Sequence, residues 1–439
     1  MKVRIETHGC KLNAADSQQL AREFAASGFE LVGSESAPDV FVLNSCTVTS
    51  VADRKARQAV SAARRSFPEA LIVATGCYAE RDLAAVDAVD AVDIALGNRK
   101  KPEIVRAVVE QLGVAFIPHE PQEPGAQITQ MALPGRTRAS VKIQEGCDQV
   151  CAYCIVPKVR GRERSVAVGE IVGQIQQLVA EGCSEVVLTG TQLGTYGFDL
   201  EAASLPGLLR TITHETDVRR IRVSSLQPLE ISDDLLTVWA EAGNRLCPHF
   251  HISLQSGSDA VLGRMRRRYT SAQFVASVER VREAVPGCSV TTDVICGFPG
   301  ETASDHAETI ATIEQVRFAD SHVFPYSMRP GTSAAHTADH VSTGMKAERA
   351  AEVRELTERH ALEFKQESIG QVRPVLWEGA AASNGLTDNY LRVRVTRPTG
   401  QTTTTNQAVP RPQRTAGLIE EVRLTGITPD GSMTVELFT

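Results

Sequence analysis

Glu145-Gly146-Cys147-Asp148-Gln149-Val150-Cys151-Ala152-Tyr153-Cys154 places three thiols four and three residues apart. Cysteines so spaced converge only if the loop wraps a common object, and an iron–sulfur cluster is the object that gathers several thiolates. Clusters normally take four such ligands, so a loop that offers three leaves one iron open to a small chelating ligand. Structural zinc would call for four N/S ligands, commonly as close-spaced cysteine pairs, and no second such pair occurs in the chain.

Around this loop, from about residue 135 to 365, strand and helix signals alternate about six times. Candidate strands cover residues 139–144, 185–189, 219–224, 249–254, 289–296 and 321–326, with amphipathic helices between them. The pattern predicts an incomplete (β/α)6 barrel, whose working groups belong at the carboxyl ends of its strands. Those ends carry Gly190, Thr191 and Gln192, then Ser253 and Gln255, then Asp293, Ile295 and Gly297. Each cluster alone reads as an ordinary turn; gathered at one barrel mouth beside the cysteine loop, they point to a cofactor site. Cys183, Cys247, Cys288 and Cys296 have no partners at ligand spacing and read as packing residues.

Upstream, short β-branched runs at 3–7, 40–43 and 70–74 alternate with helical patterns near 15–27 and 52–65, which predicts a parallel α/β sheet. One cysteine follows each run, in His8-Gly9-Cys10, Asn44-Ser45-Cys46 and Thr75-Gly76-Cys77. The carboxyl ends of parallel strands share one edge. Three cysteines scattered along the sequence therefore meet in space, where they can form a second three-thiolate site, with Gly9 and Gly76 allowing close backbone approach. A Pro/Gly/Gln-rich stretch at 118–130 reads as a linker, so the domains are expected at 1–125, 126–366 and 367–439.

After a charged helix near 345–366, short strands at 372–377, 390–395, 417–422 and 434–437 predict a small β-barrel. Basic residues recur along the chain. Arg54, Lys55, Arg57, Arg64 and Arg65 fall on one helix, Lys158, Arg160, Arg162 and Arg164 follow the cysteine loop, and Arg264, Arg266, Arg267 and Arg268 follow the fourth barrel strand. Arg392, Arg394 and Arg397 alternate along a C-terminal strand, while Thr402 to Thr405 form a polar loop of no evident role. Arginine suits bidentate phosphate contact; a solvated surface is the competing reading for each run.

The bulk numbers set bounds. A chain of 439 residues with 42% apolar and 23% charged content is ordinary for a soluble globular protein, and a net charge of −7 excludes wholesale nucleic-acid binding, leaving only local basic patches. No apolar run approaches the ~18 residues a membrane span needs, and the start lacks the apolar core of a signal peptide. The expected setting is cytoplasmic, where ten cysteines stay reduced, with no membrane partner and a monomeric state.

Cys147-x3-Cys151-x2-Cys154 with Tyr153 before the last cysteine resembles the radical S-adenosylmethionine (SAM) superfamily. Residues 9–13 (Gly-Cys-Lys-Leu-Asn), 44–48 (Asn-Ser-Cys-Thr-Val) and 76–81 (Gly-Cys-Tyr-Ala-Glu-Arg) resemble the N-terminal domain of its methylthiotransferases, and the last seventy residues resemble an RNA-binding TRAM barrel. The resemblance implies two 4Fe-4S clusters, one on Cys147, Cys151 and Cys154 and an auxiliary one on Cys10, Cys46 and Cys77, with Asn13 and Asn44 as polar neighbours. It implies SAM bound near Tyr153, Gly190, Thr191, Gln192, Ser253, Gln255, Asp293, Ile295 and Gly297, and RNA near Arg160, Arg162, Arg164, Arg266, Arg267, Arg268, Arg392 and Arg394.

Residues 9–13, 247–251 and 322–332 look most like the branch that modifies N6-threonylcarbamoyladenosine beside the tRNA anticodon. Lys11 departs from the isopentenyladenosine branch, which carries Gly-Cys-Gln-x-Asn there. That branch, the ribosomal-protein S12 branch, and an iron–sulfur RNA-binding or redox-sensing protein without SAM cleavage are the alternatives. Asp148, where asparagine is common, and Val166, where arginine usually follows Ser165, are small departures from the family pattern. The implied chemistry is transfer of a methylthio group to adenine C2 by a SAM-derived radical, with a flavodoxin or ferredoxin as electron donor.

Overall fold

The computed structural model describes residues 1–114, 137–379, 382–395 and 415–438. The expected linker with its boundary, Arg397 and the polar loop 402–405 lie outside the described residues.

Strands Lys2–His8, Val40–Ser45 and Leu71–Gly76 lie side by side in a five-stranded sheet, flanked by the two-residue strand Glu30–Leu31 and by Ile94–Gly97. All its pairings are parallel, so the chain returns through crossovers, among them the helices Lys11–Ala26 and Ser50–Ser66. Successive side chains point to opposite faces of a strand. Val40 and Val42 accordingly pack with Leu20, Phe24 and Ile104 on one face, while Phe41 and Leu43 pack with Ala56 and Val60 on the other. The flanking strands and the helix Ile104–Leu112 are additions to the sequence expectation.

The central region is the expected open barrel. Strands Arg138–Lys142, Glu185–Thr189 and Arg220–Val223 form one parallel sheet, and Ser225–Leu226, His249–Ile252, Ser289–Cys296 and Asp320–Pro325 form a second. The chain passes from one sheet to the other at Ser224. Val186, Leu188, Ile221, Val223, Phe250 and Ile252 face the helices in a continuous apolar core. The alternate residues, Glu185, Val187, Arg220, Arg222, His249 and His251, therefore line the concave side, which makes the barrel interior strongly polar.

After the helix Thr343–Glu367, the C-terminal strands close into a five-stranded barrel around the fully buried Trp377. The expected strand at 390–395 shortens to Arg392–Arg394, and Asn384–Thr387 was not anticipated.

The N-terminal sheet is bonded to both ends of the open barrel. At the edge strand Arg138–Lys142, Gln18 Oε1 accepts from the Ser140 backbone N–H at 2.9 Å and Asp16 pairs with Lys142 at 2.9 Å. Beyond the opposite edge strand, Arg329 donates to Asp53 at 2.6 Å and to Thr47 at 2.9 Å. The C-terminal barrel packs beneath: Tyr390 stacks on His249 with centroids 4.2 Å apart, and Arg222 donates to the Asp388 carbonyl at 2.9 Å.

Candidate active site

Register places the first cysteine triad. His8 pairs with Ser45 and Ser45 with Gly76, so the three strands end level and Cys10, Cys46 and Cys77 follow at one edge. The glycines are required there. Gly76 has φ +99°, and a Cβ on it would lie 2.4 Å from the Ser45 carbonyl oxygen; a Cβ on Gly9 (φ +146°) would lie 2.9 Å from that of Cys46. Asn13 and Asn44, both fully buried, brace this edge: Asn13 donates to the Ser45 carbonyl at 3.1 Å, and Asn44 to the Asn13 carbonyl at 2.9 Å. Burial, then the neighbouring Cys77 and Cys10 thiols, pushes the Cys46 thiol up to about 12.

The second triad lies in the loop between the short strand Gln144–Glu145 and the helix Val156–Arg160. Burial pushes Cys147 up to about 11 and Cys154 up to about 12, with the neighbouring thiols of the loop adding to the shift. Cys77 packs against Ile155 and Val159, immediately after this loop, so the two triads adjoin.

The donor chemistry of both triads fits iron–sulfur clusters. All six thiols are free, and a thiol is deprotonated once it coordinates a metal. A single tetrahedral zinc would draw its sulfurs to roughly 3.8 Å of one another, given Zn–S near 2.3 Å. Among the described residues only His251, Asp293 and His322 bring three ligand atoms within 4.8 Å of one another. Neither cysteine triad meets that limit, so neither is drawn in around a single small ion.

Several expected site residues gather at the barrel mouth. The Thr191 and Gln192 backbone N–H groups both donate to Gln144 Oε1, at 2.8 and 2.9 Å, and hold the turn after Gly190. Gln255 has φ +64° and is pinned to the next strand: its N–H donates to the Asp293 carbonyl at 2.8 Å, and the Ile295 N–H donates to the Gln255 carbonyl at 2.9 Å. Ser253 Oγ lies 3.2 Å from that of Ser225. The Gly297 N–H is taken by Glu301 at 2.9 Å. Tyr153 and Ile295 flank an apolar cluster with Phe298, and the two rings meet edge to face at 6.4 Å.

The structure adds residues that sequence reading did not find. Glu230 lies against Gln192, and burial pushes its carboxyl up to about 7. His251 Nε2 lies 3.3 Å from the Asp293 carboxylate; burial opposes ionisation of Asp293, and the His251 bond holds it below the usual carboxylate range. The Gln227–Glu230 capping box and the His-x-His alternation at 249–251 were the only local signals for them.

The basic residues divide. Arg160 does not face solvent as expected. It is buried, and its guanidinium is consumed by Cys77 Sγ at 3.3 Å, Asp16 and Glu145 at 2.7 Å each, and Asn13 at 3.0 Å, which leaves no face for a phosphate. Arg267 likewise turns inward, to Cys151 Sγ at 3.5 Å and the Tyr269 hydroxyl at 3.1 Å. Arg64 is occupied by the Ala70 carbonyl and Asp93. Arg162, Arg164, Arg266, Arg268, Arg392 and Arg394 are exposed. Of these, Arg162 forms a two-pronged pair with Asp148, the residue that departs from the family pattern, and Arg394 pairs with Asp430 at 3.0 Å. Cys183, Cys247, Cys288 and Cys296 are free and stand in or near the packed interior, as expected.

An open parallel barrel with a three-cysteine loop at its mouth defines a radical SAM enzyme. The Radical SAM superfamily model matches residues 141–313, and the model of the uncharacterized protein family UPF0004 matches residues 2–97. The chain is 37% identical to the threonylcarbamoyladenosine tRNA methylthiotransferase MtaB of Bacillus subtilis, with 89% of each chain covered. It is 36% identical to the tRNA-2-methylthio-N(6)-dimethylallyladenosine synthase of Acidothermus cellulolyticus, over 85% of this chain and 76% of that one. Among solved structures, the radical SAM methyltransferase TsrM of Kitasatospora setae shares the fold at 17% identity and a TM-score of 0.52, over 76% of this chain and 77% of that one. The chain belongs to the tRNA methylthiotransferase family of radical SAM enzymes. It is an enzyme that methylthiolates tRNA, and it works with SAM and two 4Fe-4S clusters. No helix among the described residues is long and apolar enough to cross a membrane.

Proposed function

We propose that the enzyme transfers a methylthio group to C2 of N6-threonylcarbamoyladenosine next to the tRNA anticodon. The relatives named for threonylcarbamoyladenosine support this target, as does the resemblance of residues 9–13, Lys11 included, to that branch. In this reading Cys147, Cys151 and Cys154 hold the SAM-binding cluster, and Cys10, Cys46 and Cys77 hold the auxiliary one. The observation that carries it is the level register of three strand ends, which sets one triad beside the other.

When bound, these groups supply one-electron cleavage of SAM and a site for sulfur transfer. The chain's own residues then have separate tasks. Arg160 and Asn98 donate to Cys77 Sγ, at 3.3 and 3.5 Å, and fix its position. Arg267 donates to Cys151 Sγ at 3.5 Å and positions it likewise. Gly190, Thr191, Gln192, Ser253, Gln255, Asp293, Ile295, Gly297 and Tyr153 surround SAM, with the turn held by Gln144 and the strand held through Gln255 fixing its orientation. Arg162, Arg164, Arg266, Arg268, Arg392 and Arg394 meet the RNA backbone. We further infer the division at 1–125, 126–366 and 367–439, a flavodoxin or ferredoxin as electron donor, a monomeric state and a cytoplasmic setting.

Anaerobically reconstituted enzyme, given SAM, sulfide and a reductant, should convert anticodon stem-loop RNA carrying N6-threonylcarbamoyladenosine to its 2-methylthio product, read by nucleoside mass spectrometry. Product formed only on isopentenyladenosine RNA transfers the assignment to the branch that the Acidothermus cellulolyticus relative is named for.

A further inference from the structure

We propose that a cavity inside the barrel holds the carboxylate of the target nucleoside's N6 substituent, with Lys11 as its counter-charge. The inference rests on the threonylcarbamoyladenosine reading and names the part of the chain that would recognise it.

The cavity has a volume of about 370 Å³ and is lined by Lys11, Arg138, Ser140, Val187, Arg222 and Tyr390, among others. Ser140 and Val187, and Val187 and Arg222, are register partners, so its wall is the concave face of the three strands Arg138–Lys142, Glu185–Thr189 and Arg220–Val223. Such a volume lies within the usual range for small-molecule sites, roughly 300 to 1,000 Å³.

Its charges are unequally satisfied. Arg222 is held by Glu185 at 3.0 Å and by the carbonyls of Asp388 at 2.9 Å and Thr387 at 3.3 Å. Arg138 is held by Glu378 at 2.8 Å. The Lys11 ammonium forms no ion pair and no hydrogen bond among the described residues; the Asp293 and Glu185 carboxylates act on it only from farther off, Arg222 and Arg138 oppose its charge, and the Tyr390 ring lies 5.9 Å away. An enclosed cation without a directly bound anion is costly, and a ligand carboxylate would relieve it.

Position ties this cation to the reaction. Lys11 directly follows Cys10 and opens the helix Lys11–Ala26. On adenine, N6 is separated from C2 only by N1 and C6. A base that presents C2 to the cluster on Cys10 therefore carries its N6 substituent toward the neighbouring lysine. Tyr390 closes the other side with φ +74°, an uncommon backbone conformation for a bulky residue, and its ring is fixed by stacking on His249 at an interplanar angle of 4°. An apolar isopentenyl group would leave the ammonium unpaired in the same cavity, and a site built for a polar group discriminates strongly against an analogue that lacks it.

The test uses reconstituted holoenzyme with SAM and no reductant, and measures equilibrium binding of anticodon stem-loop RNAs by fluorescence anisotropy. The RNAs carry N6-threonylcarbamoyladenosine, its methyl ester, or isopentenyladenosine. Wild type should bind the free acid roughly 10-fold or more tightly than the ester, the size of one lost charge-assisted hydrogen bond. Lys11→Gln should weaken the free acid alone, collapsing that ratio toward one, while Lys11→Arg keeps part of it. Unchanged binding of the ester reports that the variant remains folded. A Lys11→Gln variant that retains the wild-type acid-to-ester ratio overturns the subsite. A wild type that methylthiolates the threonylcarbamoyl RNA yet binds acid and ester equally overturns the subsite and leaves the proposed substrate standing. Turnover confined to isopentenyl RNA overturns both.

Discussion

Arg160 Nε donates to Cys77 Sγ across 3.3 Å, so the segment after the barrel's cysteine loop is bonded to the last cysteine of the N-terminal sheet. The same guanidinium pairs with Asp16 and Glu145, which also bind Lys142, so one network ties Cys77 to the strand that leads into the second cysteine loop. Arg160→Ala leaves those carboxylates under-compensated. Breaking a buried pair from one side costs about 3 to 5 kcal/mol. Denaturant unfolding should register a loss of that order, with iron falling toward the content of one cluster. Unchanged stability and iron would show the network to be incidental.

The two triads are separable by metal analysis. Reconstituted wild type should hold about eight irons if both clusters are of the cubane type. Changing Cys10, Cys46 and Cys77 to alanine, or Cys147, Cys151 and Cys154 to alanine, should each halve that number. Full iron retained in either triple variant would remove that triad from the ligand set.

Glu230 gives a pH signature. Burial raises its carboxyl from 4.5 to about 7 in the folded chain, so the fold binds this proton more tightly than the unfolded chain does. Its contribution is complete below the unfolded value and is lost as pH rises through about 7. The full swing is on the order of 3 kcal/mol, at 1.36 kcal/mol per pKa unit. Glu230→Gln removes the dependence, so the variant should gain on wild type between pH 5 and pH 8 in urea midpoints. A difference that stays constant with pH would refute the assignment.

Arg266 and Arg268 are exposed and form no ion pair among the described residues. Replacing either with glutamine should weaken tRNA binding and flatten the log K against log salt plot by about 0.7 to 0.9 for each lost phosphate contact. An unaltered slope would place the RNA elsewhere on the surface.

The architecture was legible in the sequence because periodicity is local. Short β-branched runs marked the three inner strands of the first sheet, strand signals marked six of the seven strands of the open barrel, with Ser225–Leu226 missed, and a cysteine after each of the first three announced a shared edge. What escaped depends on single turns or on distant partners. The run from Lys158 to Arg164 reads as one basic patch, but Gly161 at φ +76° breaks it. Arg160, ending the helix Val156–Arg160, turns inward while Arg162 stays outside. Arg266 at φ +59° similarly separates Arg267 from its exposed neighbours. Arg220-Ile221-Arg222-Val223 alternates like a strand with one wet face. Its polar face is in fact buried in the barrel, where Glu185, 35 residues earlier than Arg220, compensates both arginines. Nothing near Arg220 in the chain announces that partner.

The attachment of the N-terminal sheet to both ends of the open barrel bears on how this polypeptide can be cut. A fragment starting near residue 137 would expose the backbone N–H of Ser140, capped in the whole protein by Gln18, and would strand Lys142 and Arg329 without Asp16 and Asp53. Bare strand margins invite sticking between molecules. Severed from the N-terminal sheet, the catalytic half should come out of a bacterial host as inclusion bodies, and supplying the missing piece as a separate polypeptide should rescue its solubility.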